Sequence, residues 1–175
     1  MSDFAPIVTA RLRLELLQPG TLEALIAHDR DAAEQVQGRV LPEVLFEPAH
    51  DSFLKIQLSR MTARPSSGGW CARIIVREQD GAVIGHCGFH GPPEDVGRAE
   101  IGYTVLPPYR RQGFAVEAAQ GLVDWARARG ETVVFASVSP DNAASVAVVS
   151  KLGFRQTGIQ VDETDGEEGV FELDL

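Results

Sequence analysis

Residues 98–152 alternate between strand-like and helix-like patterning, and this alternation constrains the fold more than any other feature of the sequence. β-Branched and apolar residues predict strands over 98–106 and 132–138. Apolar residues at helical spacing predict a helix over 114–129 between them, and a second helix that ends at Leu152. Because such a connection is almost always right-handed and returns the chain in its original direction, we expect these neighbouring strands to be parallel.

The other strands and helices are predicted from shorter patterns. Five segments alternate or are rich in β-branched residues, as strands are: residues 9–17, 70–78, 82–90, 153–160 and 169–174. Residues 20–69 are less regular, with helical patterning near 21–26, where Thr21 is the expected N-cap, and near 48–63. The length of 175 residues predicts a single domain over residues 1–175, and the mixture of elements is typical of an α+β fold.

The chain is acidic, with 16 Lys and Arg against 25 Asp and Glu and a formal net charge of −9. A protein that binds duplex nucleic acid needs a surplus of basic residues, so nucleic acid is not an expected partner. A membrane is not expected either, because no stretch reaches the roughly 20 apolar residues of a spanning helix and residues 1–20 lack a signal-peptide core. The two cysteines, Cys71 and Cys87, suit a reducing compartment, and we therefore expect a cytoplasmic location.

The residues between the strand at 98–106 and the following helix carry the most informative motif. Arg110 begins the pattern Arg-x-x-Gly-x-Ala, in which Gly113 directly precedes the helix. A helix that begins after such a loop leaves several backbone N–H groups unpaired and aimed at one point, which suits a diphosphate. No Lys-Ser or Lys-Thr pair follows Gly113, and the three glycines of a dinucleotide fingerprint are missing. An ordinary strand-to-helix loop is the competing interpretation.

This motif resembles the signature of the GNAT superfamily of acyl-CoA-dependent N-acetyltransferases, Arg/Gln-x-x-Gly-x-Gly/Ala at the start of a long helix. The run from Asn142 to Phe154 is similar to a later motif of the family, Asn-x-x-Ser ending in Lys-x-Gly-Phe. The opening Thr9–Leu14 and the strand Glu100–Tyr103 resemble the branch that includes the acetyltransferases of ribosomal-protein N-termini. The resemblance implies the GNAT fold, a three-layer arrangement with a mixed, mostly antiparallel sheet of about seven strands flanked by helices.

The resemblance also implies acetyl-CoA as co-substrate. Its pyrophosphate would lie on the backbone N–H groups of the motif, and its pantetheine arm would pair edge-on with the strand. Asn142 matches the family position that hydrogen-bonds the arm near its thiol, and a plain helix cap is the alternative. The expected cofactor-binding residues are Tyr103, Val105, Arg110, Arg111, Gln112, Gly113, Phe114, Ala115 and Asn142. No metal is expected, because His86 and Cys87 are adjacent on a strand and point to opposite faces.

Members of the family transfer the acetyl group directly in a ternary complex, with a main-chain N–H near Val105 stabilising the oxyanion. Many relatives protonate the leaving thiolate with a tyrosine seven residues after the asparagine, and Val149 stands at that position here. The candidate acid therefore becomes Ser145, which matches a serine of the ribosomal-type branch. A serine in the first turn of a helix without chemical role is the alternative.

For the general base we expect Glu100, which shares a strand face with Gly102 and Thr104. Burial would raise the pKa of this carboxyl and suit it to accept a proton from an ammonium. A structural acid, or a charge that orients a cationic substrate, is the competing interpretation. His86 and His90 are alternative bases.

The expected reaction is acetyl transfer to a primary amine, on a small molecule or on a protein N-terminus. Two rivals stay open: a coenzyme A-binding module without transfer activity, and a nucleotide-phosphate enzyme. Residues 20–69 are the expected wall of the acceptor site, and the acidic run 162–168 is the expected solvated tip of a hairpin. Glu117 is expected on the helix surface or as a structural partner of the motif, and a homodimer is common among relatives.

Overall fold

The computed structural model describes residues 4–162 and 166–175. Its centre is an eight-stranded sheet with the order β1-β2-β3-β4-β5-β6-β8-β7. The strands are β1 (Ile7–Val8), β2 (Leu12–Leu16), β3 (Ala72–Arg77), β4 (Val83–Phe89), β5 (Ala99–Val105), β6 (Val133–Val138), β7 (Arg155–Asp162) and β8 (Gly166–Asp174). Neighbours are antiparallel except β5 and β6, which are parallel. The predicted crossover and the mixed sheet are thus confirmed, and the strand beyond the expected seven is the two-residue β1.

Six helices complete the described structure: α1 (Pro19–Ile26), α2 (Arg30–Gln37), α3 (Asp51–Ala63), α4 (Pro93–Val96), α5 (Phe114–Arg127) and α6 (Ala143–Lys151). Short 3-10 turns cover Glu43–Phe46, Pro48–His50, Pro65–Trp70 and Pro107–Tyr109. The predicted N-cap at Thr21 is wrong, because Pro19 occupies the first helical turn, where its missing N–H costs nothing, and Thr21 is buried inside α1. The mostly polar α2 was not predicted from its sequence.

Helices cover both faces of the sheet and bury two separate apolar clusters. One cluster holds α5 and α6, with fully buried Leu122 and Val149, and the other holds α1–α3. Strand β3 lies between them, since Ile75 belongs to the first cluster and Ile74 to the second. The expected three-layer arrangement is therefore confirmed.

Within residues 4–162 and 166–175, no helix is long and apolar enough to cross a membrane. The acidic run 162–168, expected as a solvated hairpin tip, includes residues 163–165, which lie outside the described part of the chain.

Candidate active site

The parallel strands β5 and β6 separate soon after they begin. Their pairs are Ala99 with Val134 and Glu100 with Phe135, although β5 continues to Val105. On the other side of β5, the Glu100 carbonyl accepts a hydrogen bond from His90 N at 3.0 Å, so even-numbered residues turn their main-chain groups toward β4. The main-chain groups of Tyr103 and Val105 therefore face the gap toward β6.

The loop at the end of β5 has the backbone geometry of an anion site. Arg111 and Gly113 both have left-handed backbones, with φ of 61° and 82°. The first main-chain bond of α5 runs from Glu117 N to Gly113 O at 3.0 Å, so the N–H groups of the preceding turn remain without a helical acceptor. Holding a non-glycine residue such as Arg111 in this conformation costs about 1 kcal/mol, and strain of this kind often accompanies a functional loop.

Three arginines surround this loop, of which two were predicted. Arg110 and Arg111 are both exposed, and Arg110 Nε donates to the Val105 carbonyl at 2.8 Å and so fixes the loop to the strand. The third is Arg11, whose guanidinium lies 4.5 Å from the centre of the Phe114 ring and donates to the Gln112 carbonyl at 3.1 Å. In the sequence, Arg11 is only a basic residue in a predicted strand. Nothing near it in the sequence indicates that β2 lies next to α5.

Glu117 connects this loop to the N-terminal part of the chain. Its carboxylate accepts hydrogen bonds from Thr9 Oγ1 and Arg11 N, both at 2.7 Å, and pairs with Arg11 Nε at 2.6 Å. Burial raises the pKa of this carboxyl, but these hydrogen bonds outweigh burial and lower it overall. The structural role expected for Glu117 is confirmed.

Asn142 and Ser145 lie at the start of α6, on the other side of the gap. Asn142 Oδ1 accepts from Ser145 N at 3.1 Å, which is the geometry of an N-cap. The Tyr103 hydroxyl donates to the Ser145 carbonyl at 3.3 Å, and burial raises the pKa of this phenol to about 12. Val149 is fully buried in the core. The Tyr103 phenol was not singled out from sequence, which pointed only to the main chain of this residue.

Glu100 lies on the opposite face of β5, within a polar network. Ser137 Oγ donates to Glu100 Oε1 at 2.8 Å, and His90 Nδ1 lies 3.4 Å from Glu100 Oε2. Burial raises the pKa of Glu100, but the hydrogen bonds from His90 and Ser137 and the charge of Arg98 lower it further than burial raises it. The expectation of a raised pKa is therefore wrong, because the carboxylate is solvated by neighbouring donors despite being only 15% exposed.

His90 lies beside Glu100 because Gly102, which has no side chain, leaves room for the imidazole. A Cβ built on Gly102 would lie 2.7 Å from His90 Nε2, so the imidazole occupies the space that any side chain at position 102 would need. The imidazole is 49% exposed, and it lines a pocket of about 250 Å³ together with Gly102 and Thr104. A larger cleft of about 740 Å³ follows the outer side of α5 and meets the loop at Arg11 and Gly113. The smaller pocket is the candidate acceptor site, because it adjoins the face of β5 that carries Glu100.

His86 and the cysteines have environments that keep them uncharged. Burial, followed by the charge of His50, lowers the pKa of His86 to about 4. Burial raises the pKa of Cys71 to about 11 and that of Cys87 to about 12, so both thiols stay protonated at neutral pH. Among the described residues, no group of three or more His, Cys, Asp or Glu is arranged to hold a metal ion.

Comparison with known proteins places the chain among acetyltransferases. Residues 11–155 match the acetyltransferase (GNAT) domain model. The uncharacterized N-acetyltransferase YjdG of Bacillus subtilis (strain 168) is 35% identical over 150 residues, which cover 83% of this chain and 87% of that protein.

Solved structures share the fold at lower identity. The ribosomal-protein-S5-alanine acetyltransferase from Vibrio fischeri superposes with a TM-score of 0.65 at 15% identity, over 97% of this chain and 96% of that one. The microcin C7 self-immunity acetyltransferase MccE, in complex with acetyl-CoA and AMP, has a TM-score of 0.65 at 15% identity, over 95% and 94% of the two chains. From the domain match and the similarity to YjdG, this chain belongs to the GNAT family of N-acetyltransferases.

Proposed function

We propose that this acetyltransferase uses acetyl-CoA to acetylate a primary amine by direct attack in a ternary complex. The observation that carries the proposal is the position of β5, which ends at the anion-binding loop on one side and carries the Glu100–His90 pair on the other. The strand would hold the thioester between cofactor and acceptor. In the reaction, the amine nitrogen bonds to the acetyl carbon, the carbon–sulfur bond breaks, and the thiolate leaves with a proton.

The loop after β5 and the gap between β5 and β6 would bind different parts of the cofactor. The pyrophosphate would accept hydrogen bonds from the N–H groups of Gln112, Gly113, Phe114 and Ala115, with Arg111 supplying an exposed positive charge. The pantetheine arm would pair with the main chain of Tyr103 and Val105, whose N–H groups face the gap. Arg110 would act indirectly, since its Nε holds the Val105 carbonyl.

The thioester end would lie between Val105 and Asn142. The Val105 N–H has the direction needed to donate to a developing oxyanion. The Oδ1 atom of Asn142 caps α6, which leaves the Nδ2 group of the same side chain to donate to the arm.

The proposed reaction needs two proton transfers, one from the amine and one to the leaving thiolate. The ionised Glu100 carboxylate, together with His90 beside it, would accept the proton released by the amine. Ser145 is the proposed acid for the thiolate. The Tyr103 hydroxyl is a second candidate acid, because it lies at the same turn and its pKa of about 12 keeps it protonated.

Thiol release from acetyl-CoA in the presence of a panel of amines tests this proposal. We expect turnover that the Glu100→Gln substitution reduces about 100-fold, while coenzyme A binding measured by calorimetry stays unchanged. Binding of coenzyme A without turnover of any amine would favour the non-catalytic module. Preferential binding of ATP with Mg²⁺ over coenzyme A would favour the nucleotide-phosphate enzyme.

We also propose a cytoplasmic location and a homodimer for this protein. The two free thiols, Cys71 and Cys87, support a cytoplasmic location. A homodimer is supported by the edge strand β7, where Ile159 and Val161 are 62% and 79% exposed. Light scattering of the purified chain tests the dimer, and Val161→Lys should convert it to a monomer.

A further inference from the structure

The pocket beside Glu100 has walls made largely of rings. The Phe53 ring from α3 lies 6.3 Å from the His86 ring, centre to centre, and His50 meets His86 edge-on at 6.0 Å. His86 is uncharged at neutral pH because its pKa is lowered to about 4. This end of the pocket therefore presents ring faces and edges, among which the His86 ring carries no charge at neutral pH.

The charges around the pocket are confined to its other end. Among its described lining residues there is no Lys, Arg, Asp or Glu, and His90 is the residue through which it meets the Glu100 carboxylate. The nearby Arg60 guanidinium donates to the His90 carbonyl at this end. A substrate carboxylate beside the ammonium would lose water and lie close to the Glu100 carboxylate, which is unfavourable.

The two ends of the pocket are separated by a short span of the sheet. On β4, Gly88 pairs with Gly102 of β5, and His86 pairs with Thr104 of β5. The His90 imidazole covers Gly102, so the charged end and the ring end are two residues apart along β5, or about 7 Å. A linker of two or three carbons between an amine and a ring covers this distance.

The size of the pocket limits its occupant further. A volume of about 250 Å³ equals that of about eight liquid waters. One small ring with a short amine arm fills such a space.

We infer that the preferred acceptor is an arylalkylamine, a primary amine joined to an aromatic ring by a short chain and bearing no carboxylate. Its ammonium would lie at His90 and Glu100, and its ring would pack against Phe53 and His86 where they line the pocket. This inference rests on the proposed function, since it names the amine which that reaction acetylates.

A comparison of kcat/KM over four acceptors tests the inference. Phenethylamine should exceed phenylalanine, which adds only a carboxylate, by about 100-fold or more. It should also exceed spermidine and a peptide that begins with alanine. An equal or higher kcat/KM for any of these three would overturn the inference while leaving acetyl transfer intact. Absence of thiol release with every acceptor would overturn the proposed function and the inference together.

Variants on α3 supply the matched control. Phe53→Ala should raise the KM for phenethylamine about 10-fold and leave the KM for acetyl-CoA unchanged, because one apolar face of the pocket is lost. Ile56→Ala removes a 49% exposed side chain from the same helix and should change neither value. Phe53→Leu, which keeps most of the volume, should retain the fold and give an intermediate KM. An unchanged KM for phenethylamine in both Phe53 variants would overturn the inference.

Discussion

The His90 imidazole lies in the space that a side chain at Gly102 would occupy, with Nε2 only 2.7 Å from the position of a Cβ there. The same imidazole places Nδ1 3.4 Å from the Glu100 carboxylate. The glycine on β5 thereby leaves the space in which the histidine directly after β4 approaches the proposed base. The arrangement brings together His90 and Glu100, ten positions apart in sequence, as the pair proposed to accept the proton of the amine.

Replacing Gly102 by alanine should move the imidazole and lower kcat about 100-fold, with little change in acetyl-CoA affinity, because the cofactor is proposed to bind on the other edge of β5. Steady-state kinetics and calorimetry measure the two effects. Gly158→Ala is the control, since nothing lies within 4 Å of its added Cβ, and it should leave both values unchanged. Full activity of the Gly102→Ala enzyme would remove His90 from the proposed pair.

Replacing Gly113 by valine should weaken coenzyme A binding at least 10-fold, because the left-handed backbone of the loop would be strained and the anion's approach blocked. Gly130→Val is a matched control. Gly130 has a φ of 89°, close to the 82° of Gly113, but it lies beyond the other end of α5. Both variants should lose about 1 kcal/mol of stability, and only the first should lose affinity in calorimetry. Equal affinities would contradict the position proposed for the pyrophosphate.

Replacing Glu117 by alanine should lower the free energy of unfolding by about 1–3 kcal/mol, because the Thr9 hydroxyl and the Arg11 main chain and guanidinium lose their acceptor. Urea unfolding measures the change. In the control Glu43→Ala, a side chain 84% exposed is removed from its pair with Arg30, and the change should stay within about 0.5 kcal/mol. A similar small change at Glu117 would show that this carboxylate does not tie the N-terminal segment to α5.

The lowered pKa of His86 predicts how stability depends on pH. The unfolded chain binds a proton at this histidine near pH 6.5, whereas the folded chain binds it only near pH 4. Between these values the unfolded state holds more protons, so stability falls as pH is lowered, by up to about 3 kcal/mol over the window. The loss is complete below pH 4 and absent above pH 6.5.

The variant His86→Gln isolates this contribution, since glutamine does not titrate. Its free energy of unfolding, measured in urea between pH 4 and pH 7, should have a shallower slope than that of the wild type. The carboxyl groups titrate equally in the wild type and in the variant, so their contribution cancels in the difference between the two profiles. Parallel pH profiles would mean that His86 accepts a proton as readily in the folded chain as in the unfolded one.

The parts of the fold that follow from neighbouring residues were predicted well. Each strand and helix of the β5–α5–β6 crossover, and the glycine that precedes α5, produces a pattern in its own stretch of neighbouring residues. The two-residue β1 and the polar α2 produce no such pattern, because their places depend on the strands and helices that they contact. For α1, Thr21 is a favoured N-cap residue, but Pro19 begins the helix two residues earlier because proline suits the first helical turn.

The part of the candidate site that consists of main-chain groups could be predicted from the sequence. The parts in which side chains from different strands meet could not. The loop at 110–113 could be found from its glycine and the following helix. The contact of Arg11 with that loop depends on β2 lying beside α5, which no local pattern indicates. The pKa of Glu100 was predicted in the wrong direction, because burial can be read from a strand pattern but donors such as Ser137 on β6 cannot.

Transfer of a labelled acetyl group tests the central claim most directly. The protein is incubated with acetyl-CoA carrying a ¹³C-acetyl group and with phenethylamine, spermidine and an alanine-initiated peptide, and the products are analysed by mass spectrometry and NMR. The account predicts that the label appears on the nitrogen of an amine, that one thiol is released for each amine modified, and that the protein itself carries no label. Acetyl-CoA that stays bound without labelling any amine, or label that accumulates on the protein, would contradict direct transfer to an amine.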